Sequence, residues 1–235
     1  SANLNVYNGT ATINRGTTAT TTNGTDTRLI MLGRDSASST GTVNLNGGTL
    51  ATDRQFVRDG SSSAGSGTAN FVFNGGTLKA LNTQTDWLQS TTASSAGQNN
   101  GSTGGTVNTN ALALSSVTVT AASTIDSNGF SVAINNAISG SGGFTITSSS
   151  GGGTVTLGGV TTYTGATTVN SGTLSLGSAG SISSSTSLAL AAGATFEVSS
   201  QSSYSLRSSQ PLTLQLGAST IGTINFGCLD LRLGR

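Results

Sequence analysis

One six-residue phrase recurs, and it restricts the chain more than any other feature. Leu45-Asn46-Gly47-Gly48-Thr49-Leu50 returns 28 residues later as Phe73-Asn74-Gly75-Gly76-Thr77-Leu78. An apolar residue, an Asn-Gly-Gly corner and a Thr-Leu pair describe a strand that ends, turns and starts again. An imperfect earlier copy is Leu4-Asn5-Val6-Tyr7-Asn8-Gly9-Thr10, and Val169-Asn170-Ser171-Gly172-Thr173-Leu174 reuses the same order of residue types. Repetition at such a period marks an architecture in which a unit buries its apolar face only against its neighbours. An Arg-Asp pair precedes each full copy, Arg34-Asp35 and then Arg58-Asp59, at an offset of 24. The shorter offset fits a longer loop, residues 60–67, in the second copy.

Strand signals fill the stretches between corners. Thr42-Val43-Asn44-Leu45, Asn70-Phe71-Val72-Phe73, Val117-Thr118-Val119-Thr120 and Thr154-Val155-Thr156-Leu157 alternate apolar with small polar residues. So do Leu174-Ser175-Leu176, Leu188-Ala189-Leu190, Thr195-Phe196-Glu197-Val198 and Leu212-Thr213-Leu214. That period of two is the pattern of a half-buried strand. No run of ten residues carries a clean 3.6-residue period, because Gly and β-branched residues interrupt every candidate helix.

These patterns predict an all-β fold, a right-handed parallel β-helix or β-solenoid, as one domain over residues 1–235. Within it, residues 1–110 carry the Asn-Gly-Gly-Thr-Leu copies, and residues 111–235 form a second repeat region. The inward positions are expected to be Val43, Leu45, Leu50, Phe71, Phe73, Leu78, Val155, Leu157, Leu174 and Leu176. Thr, Ser and Asn should face outward or stack in ladders, and corner glycines should supply positive φ. A hairpin-rich sandwich competes, but it calls for tight two-residue turns rather than a long-period repeat. The turn and motif positions singled out are Asn46, Gly47, Gly48, Thr49, Leu50, Asn74, Gly75, Gly76, Thr77, Leu78, Tyr163, Gly165, Gly172, Thr173 and Leu174.

Composition narrows the function. Ser and Thr make up about a third of the chain, charged residues 7%, and the formal net charge is +1. Such a balance gives no basic footprint for nucleic acid or for an anionic membrane surface. No stretch approaches the 18 apolar residues of a membrane-spanning helix, and Ser1-Ala2-Asn3 shows no signal-peptide features. There is one cysteine, Cys228, and no histidine. A Ser-His-Asp or Cys-His nucleophile is therefore excluded, and Cys228 reads as an inert packed thiol.

The span Gly153 to Gly177 resembles an autotransporter-associated β-strand repeat. That family runs as a strand, a Tyr-x-Gly turn, a Thr-x-Val strand, then Gly-Thr-Leu and another strand. Tyr163, Gly165, Thr168, Val169, Gly172, Thr173 and Leu174 hold those places here. The Asn-Gly-Gly-Thr-Leu copies, Ile125-Asp126-Ser127-Asn128-Gly129-Phe130, and Ala191-Ala192-Gly193-Ala194-Thr195-Phe196-Glu197-Val198 are similar to the repeat exoproteins that contain this module. The resemblance implies a parallel β-helix exported across a bacterial envelope and displayed extracellularly or at the cell surface. An outer-membrane barrel or sorting tail of the kind that often ends these proteins is not visible.

Chemistry, if any, rests on carboxylates. Asp26, Asp35, Asp53 and Asp59 lie close in sequence to Arg28, Arg34, Arg54 and Arg58. A glycosidase needs two carboxylates about 5–10 Å apart, and Asp35 and Asp59 in adjacent coils would fit. A surface ion-pair ladder is the favoured reading. Asp126-Ser127-Asn128-Gly129 has two oxygen-ligand types but lacks the acids of a calcium loop, and reads as a turn. Gly151-Gly152-Gly153 lacks the Lys and helix of a phosphate loop. Trp87, Tyr163 and Tyr204 read as core or cap residues rather than sugar platforms. The expectation is therefore a non-enzymatic protein with no catalytic, cofactor or metal residues. It would be a stalk or a homopolymeric fibre whose partner is its own copy. The alternative is an adhesin passenger that binds surface glycans.

Overall fold

The computed structural model describes residues 2–13, 29–32, 38–59, 67–90, 93–94, 110–206, 209–215 and 223–225. Every regular element among them is a strand. The first coil contains β1 (Ala2–Val6), β2 (Thr10–Ile13) and β3 (Leu29–Leu32), and the second β4 (Thr40–Leu45), β5 (Thr49–Thr52) and β6 (Gln55–Asp59). The third holds β7 (Thr68–Asn74) and β8 (Thr77–Ala80), and is followed by the short β9 (Ala93–Ser94) and β10 (Asn110–Leu112). Coil four has β11 (Ser116–Ala121), β12 (Ser123–Asp126) and β13 (Ser131–Ile134), and coil five β14 (Ile138–Ser139), β15 (Phe144–Thr147) and β16 (Thr154–Leu157). The last three coils carry two strands each: β17 (Thr167–Val169) with β18 (Thr173–Leu176), β19 (Leu188–Leu190) with β20 (Thr195–Glu197), and β21 (Leu212–Leu214) with β22 (Thr223–Asn225).

Corresponding strands of successive coils pair in parallel, giving a β-solenoid with three sides. One side is β1-β4-β7-β11-β14, continued by single bridges from Ile138 to Thr161 and from Val160 to Ser181. The second is an eight-stranded ladder, β2-β5-β8-β12-β15-β17-β19-β21. The third side changes partners midway. It begins as β3-β6 and resumes as β13-β16-β18-β20-β22. Residues 84–88 of coil three join the two parts, with Leu88 bridging to Phe56 and Gln84 to Val132. Beside them β10 pairs antiparallel with β6 and β9, the only antiparallel contacts among the described strands.

The 28-residue repeat is realised as register. Leu45 lies opposite Phe73, Thr49 opposite Thr77 and Leu50 opposite Leu78. The earlier imperfect copy stacks the same way, with Val6 opposite Leu45 and Thr10 opposite Thr49. All ten residues expected to point inward are fully buried. Between them an aromatic string runs Phe56, Phe71, Phe73, Phe144, Tyr163, edge-to-face except for the tilted Phe71–Phe73 pair, with successive ring centroids 4.8–5.2 Å apart. Such contacts add to the burial of large apolar surface. Asparagines climb the outside as expected: Asn44 donates to Asn5 at 2.8 Å and Asn74 to Asn46 at 2.9 Å, and the Thr120 hydroxyl donates to Asn74 at 2.9 Å.

The corner glycines need one correction. Gly47 and Gly48 both have positive φ, 98° and 63°, but in the second copy only Gly75 does. Gly76 is instead required by proximity: a Cβ there would sit 2.7 Å from the Gly47 carbonyl oxygen and 2.9 Å from the Leu45 Cβ. Gly165 is the same case, pressed against the Gly142 and Gly143 backbone. Coil stacking at about 4.8 Å leaves no room for a side chain where one corner lies on another.

Candidate functional site

The eight-stranded side organises the molecule into columns. Its inward column reads Ala11, Leu50, Leu78, Ile125, Ile146, Val169, Leu190, Leu214, one residue per coil. Leu50, Leu78, Ile125, Ile146, Val169 and Leu190 are at most 1% exposed. The two end members differ: Ala11 is half-buried and Leu214 is 42% exposed. The adjacent outward column reads Thr10, Thr49, Thr77, Thr124, Thr145, Thr168, Ala189, Thr213. β-branched threonine suits this half-covered position.

Among the described residues both ends of these columns are open edges. Among the described residues nothing pairs with the outer side of β1, β2, β21 or β22. The sequences of these edges, ANLNV, TATI, LTL and TIN, contain no charge or proline. Charges and prolines are what proteins usually place on edges to prevent strand addition. Half-buried apolar residues that pack on the core also gather here. Leu4, Ala11, Ile13, Ile30 and Leu32 belong to the first coil, and Tyr204, Leu206, Leu212 and Ile224 to the far end. Tyr7, at the first corner, is 60% exposed. The sequence expectation of self-association attaches to none of these residues, although Leu4 and Tyr7 fall in a repeat copy, Leu212 in an alternating strand and Tyr204 among the core or cap positions, because a half-finished column looks like any other alternating strand.

A polar clamp lies midway along the same side. Lys79 stands opposite Asp126 in register, with Nζ 3.2 Å from Oδ2 and 2.7 Å from the Ser149 hydroxyl of the next coil. Asp126 Oδ1 accepts from the amides of Asn128 at 2.8 Å and Ser149 at 2.9 Å. Burial pushes the carboxyl upward, but these hydrogen bonds and Lys79 outweigh it and hold the group below its ordinary value. Asn128, at φ 51°, and Gly129, at φ 86°, form the turn that the sequence suggested. The side chain of Asn128 reaches back to the Ala80 carbonyl at 2.9 Å. Lys79, Ala80 and Ser149 thus tie this turn to coils three and five.

The remaining sequence candidates divide. Trp87 is fully buried, its indole N–H donating to the Arg54 carbonyl at 3.2 Å. Tyr163 is buried, its hydroxyl 2.7 Å from Thr167 Oγ1, which donates onward to Ser185 at 2.9 Å. Tyr204 is half-buried and packs edge-on against Phe196 at 5.6 Å. The Trp87 and Tyr163 rings are therefore core residues. Gly172, at φ 73°, turns the chain into Thr173 and the buried Leu174. The β3–β6 pairing sets Leu32 opposite Arg58, and the first Arg-Asp pair of the expected ladder lies outside the described residues. Arg58 donates to the carbonyls of Ala113 at 3.0 Å and Gly67 at 3.4 Å, and Arg54 lies 3.5 Å from its neighbour Asp53. Asp26, Arg28, Arg34, Asp35 and Cys228 lie outside the described residues, as does the side chain of Asp59. Where coils four to six corner, Ala121, Gly142 and Gly165 floor an open depression of about 320 Å³.

No protein-family model, curated protein or solved structure matches this chain.

Proposed function

We propose that the chain is an extracellular structural protein, a stiff coil stack that serves as a surface stalk or is extended end to end into a fibre. The observation that carries this reading is the uninterrupted eight-stranded parallel ladder with its two matched columns. Parallel ladders with all rungs in register resist bending, because each coil is tied to both neighbours by backbone hydrogen bonds and by side chains buried between them. Low charge with abundant Ser and Thr supports a surface built from small hydroxyl groups rather than from ion pairs. The likeness of residues 153–177 to an exported β-strand repeat supports a location outside a bacterial cell.

Electron microscopy of the folded protein over a rising concentration series tests the proposal. At about 4.8 Å per coil, eight coils give an axial rise of about 38 Å per chain. Fibres with that axial repeat, or straight rods of uniform width, are the expected result. Flexible or globular particles at every concentration would contradict it.

A further inference from the structure

The ends of the inward column have complementary shapes. At one end Leu214 leaves a large apolar side chain 42% exposed, in register with the buried Leu190 below it. At the other, Ala11 tops the same column with a small side chain, half-buried over Leu50. Inside the molecule this column is assembled by seven parallel steps, from Ala11↔Leu50 to Leu190↔Leu214. We propose that one more such step joins two copies of this chain: β21 of one copy adds in parallel to β2 of the next, with Leu214 seated on Ala11, Thr213 opposite Thr10 and Gln215 opposite Thr12.

Three observations select a second copy as the occupant. The joint repeats an interface the fold already makes, with the same polarity, so N-terminal edge meets C-terminal edge and the contact does not close on itself. A heterologous contact of that kind propagates. The alternation matches on both sides, since continuing the inward column continues the outward threonine column through Thr213 and Thr10. Neither edge carries a charge to oppose the approach. The pairing satisfies backbone groups on both edges and covers Leu214, so its driving force is the one that holds neighbouring coils together. This joint rests on the structural reading above and supplies its contact.

The test uses two single-cysteine variants in a Cys228→Ser background, Thr10→Cys and Thr213→Cys, the second labelled with nitrogen-15. Both sites are exposed, and far-UV circular dichroism establishes that each variant is folded. Parallel neighbours about 4.8 Å apart lie within the Cα separation a disulfide spans. Mixing the two under mild oxidation should give the mixed disulfide as the dominant dimer by mass spectrometry. Adding Leu214→Lys to the second variant should abolish that product while leaving the spectrum unchanged. Like-with-like disulfides in equal or greater yield, cross-linking that survives Leu214→Lys, or no disulfide at concentrations where the native chain associates would overturn the joint. Such a failure is separable from failure of the coil stack itself, which spin-label distances along the threonine column of one chain report.

Discussion

Lys79 of the third coil and Asp126 of the fourth stand directly opposite each other, Nζ 3.2 Å from Oδ2, although 47 residues separate them in the chain. Their contact lies at the long step from β8 to β12, 47 residues where β5 and β8 pair at 28, so it pins the register at the step with least help from the repeat. Asp126→Asn keeps the shape but removes the charge that Lys79 and two amides address. The expected loss is about 1.5–3 kcal/mol of unfolding free energy, the range for hydrogen bonds to charged groups. Urea denaturation of the two proteins at neutral pH measures it.

The same carboxyl predicts an acid dependence. Its native pKa is held below the ordinary value of 3.8, so the unfolded chain takes up the proton first. The stability it contributes is complete above that value and is lost as the pH falls through the lowered native pKa. A plot of unfolding free energy against pH should drop below pH 4 for the native sequence and drop less for Asp126→Asn. Equal slopes would remove Asp126 from the explanation.

Gly48 and Gly75 share a left-handed conformation, φ 63° and 88°, but not their surroundings. A Cβ at Gly75 would meet nothing closer than the Ala122 oxygen at 4.0 Å, whereas one at Gly48 would collide with the Tyr7 carbonyl and lie 2.8 Å from the Gly9 oxygen. Gly75→Ala should therefore cost about 1–2 kcal/mol, the conformational penalty alone. Gly48→Ala should cost clearly more, because the first and second coils must part. Thermal melts of the two variants decide this, and equal melting temperatures would refute the contact argument.

Tyr163 links core and corner through Thr167. Tyr163→Phe should cost about 1 kcal/mol, the net worth of one hydrogen bond, while Phe73→Ala, a true core deletion, should cost about 3–5 kcal/mol. Burial holds the Tyr163 phenol protonated well above its ordinary 10.0. Its stabilising effect is therefore complete below that value and lost as the pH rises beyond it. Burial raises the Tyr204 phenol as well, so alkaline absorbance titration should show two tyrosines that ionise only with unfolding, and that signal should fall by half in Tyr163→Phe.

The sequence made the fold legible wherever the repeat was intact. Leu50 and Leu78 are 28 residues apart in identical surroundings, so their stacking could be read directly. Thr77 and Thr124 occupy the same column, but the longer step between them hides the period. Lys79 and Asp126 were invisible as a pair for that reason. The register of β3 on β6, Leu32 opposite Arg58, could not be read from the sequence, because no repeated phrase spans those two strands. The candidate site was least legible of all. Ala11 and Leu214 acquire meaning only as the two ends of a column, which exists after the coils have stacked.

The central claim, one rung per coil, is tested most directly by pulsed electron paramagnetic resonance distances between spin labels on the threonine column. The pairs are Thr77 with Thr145, Thr49 with Thr168, and Thr10 with Thr213, which lie two, four and seven coils apart. At about 4.8 Å per rung, the backbone separations should be roughly 10, 19 and 34 Å, a straight line against coil number. Distances that do not grow with coil number, as two packed antiparallel sheets would give, would contradict the solenoid and with it every functional statement built on the columns.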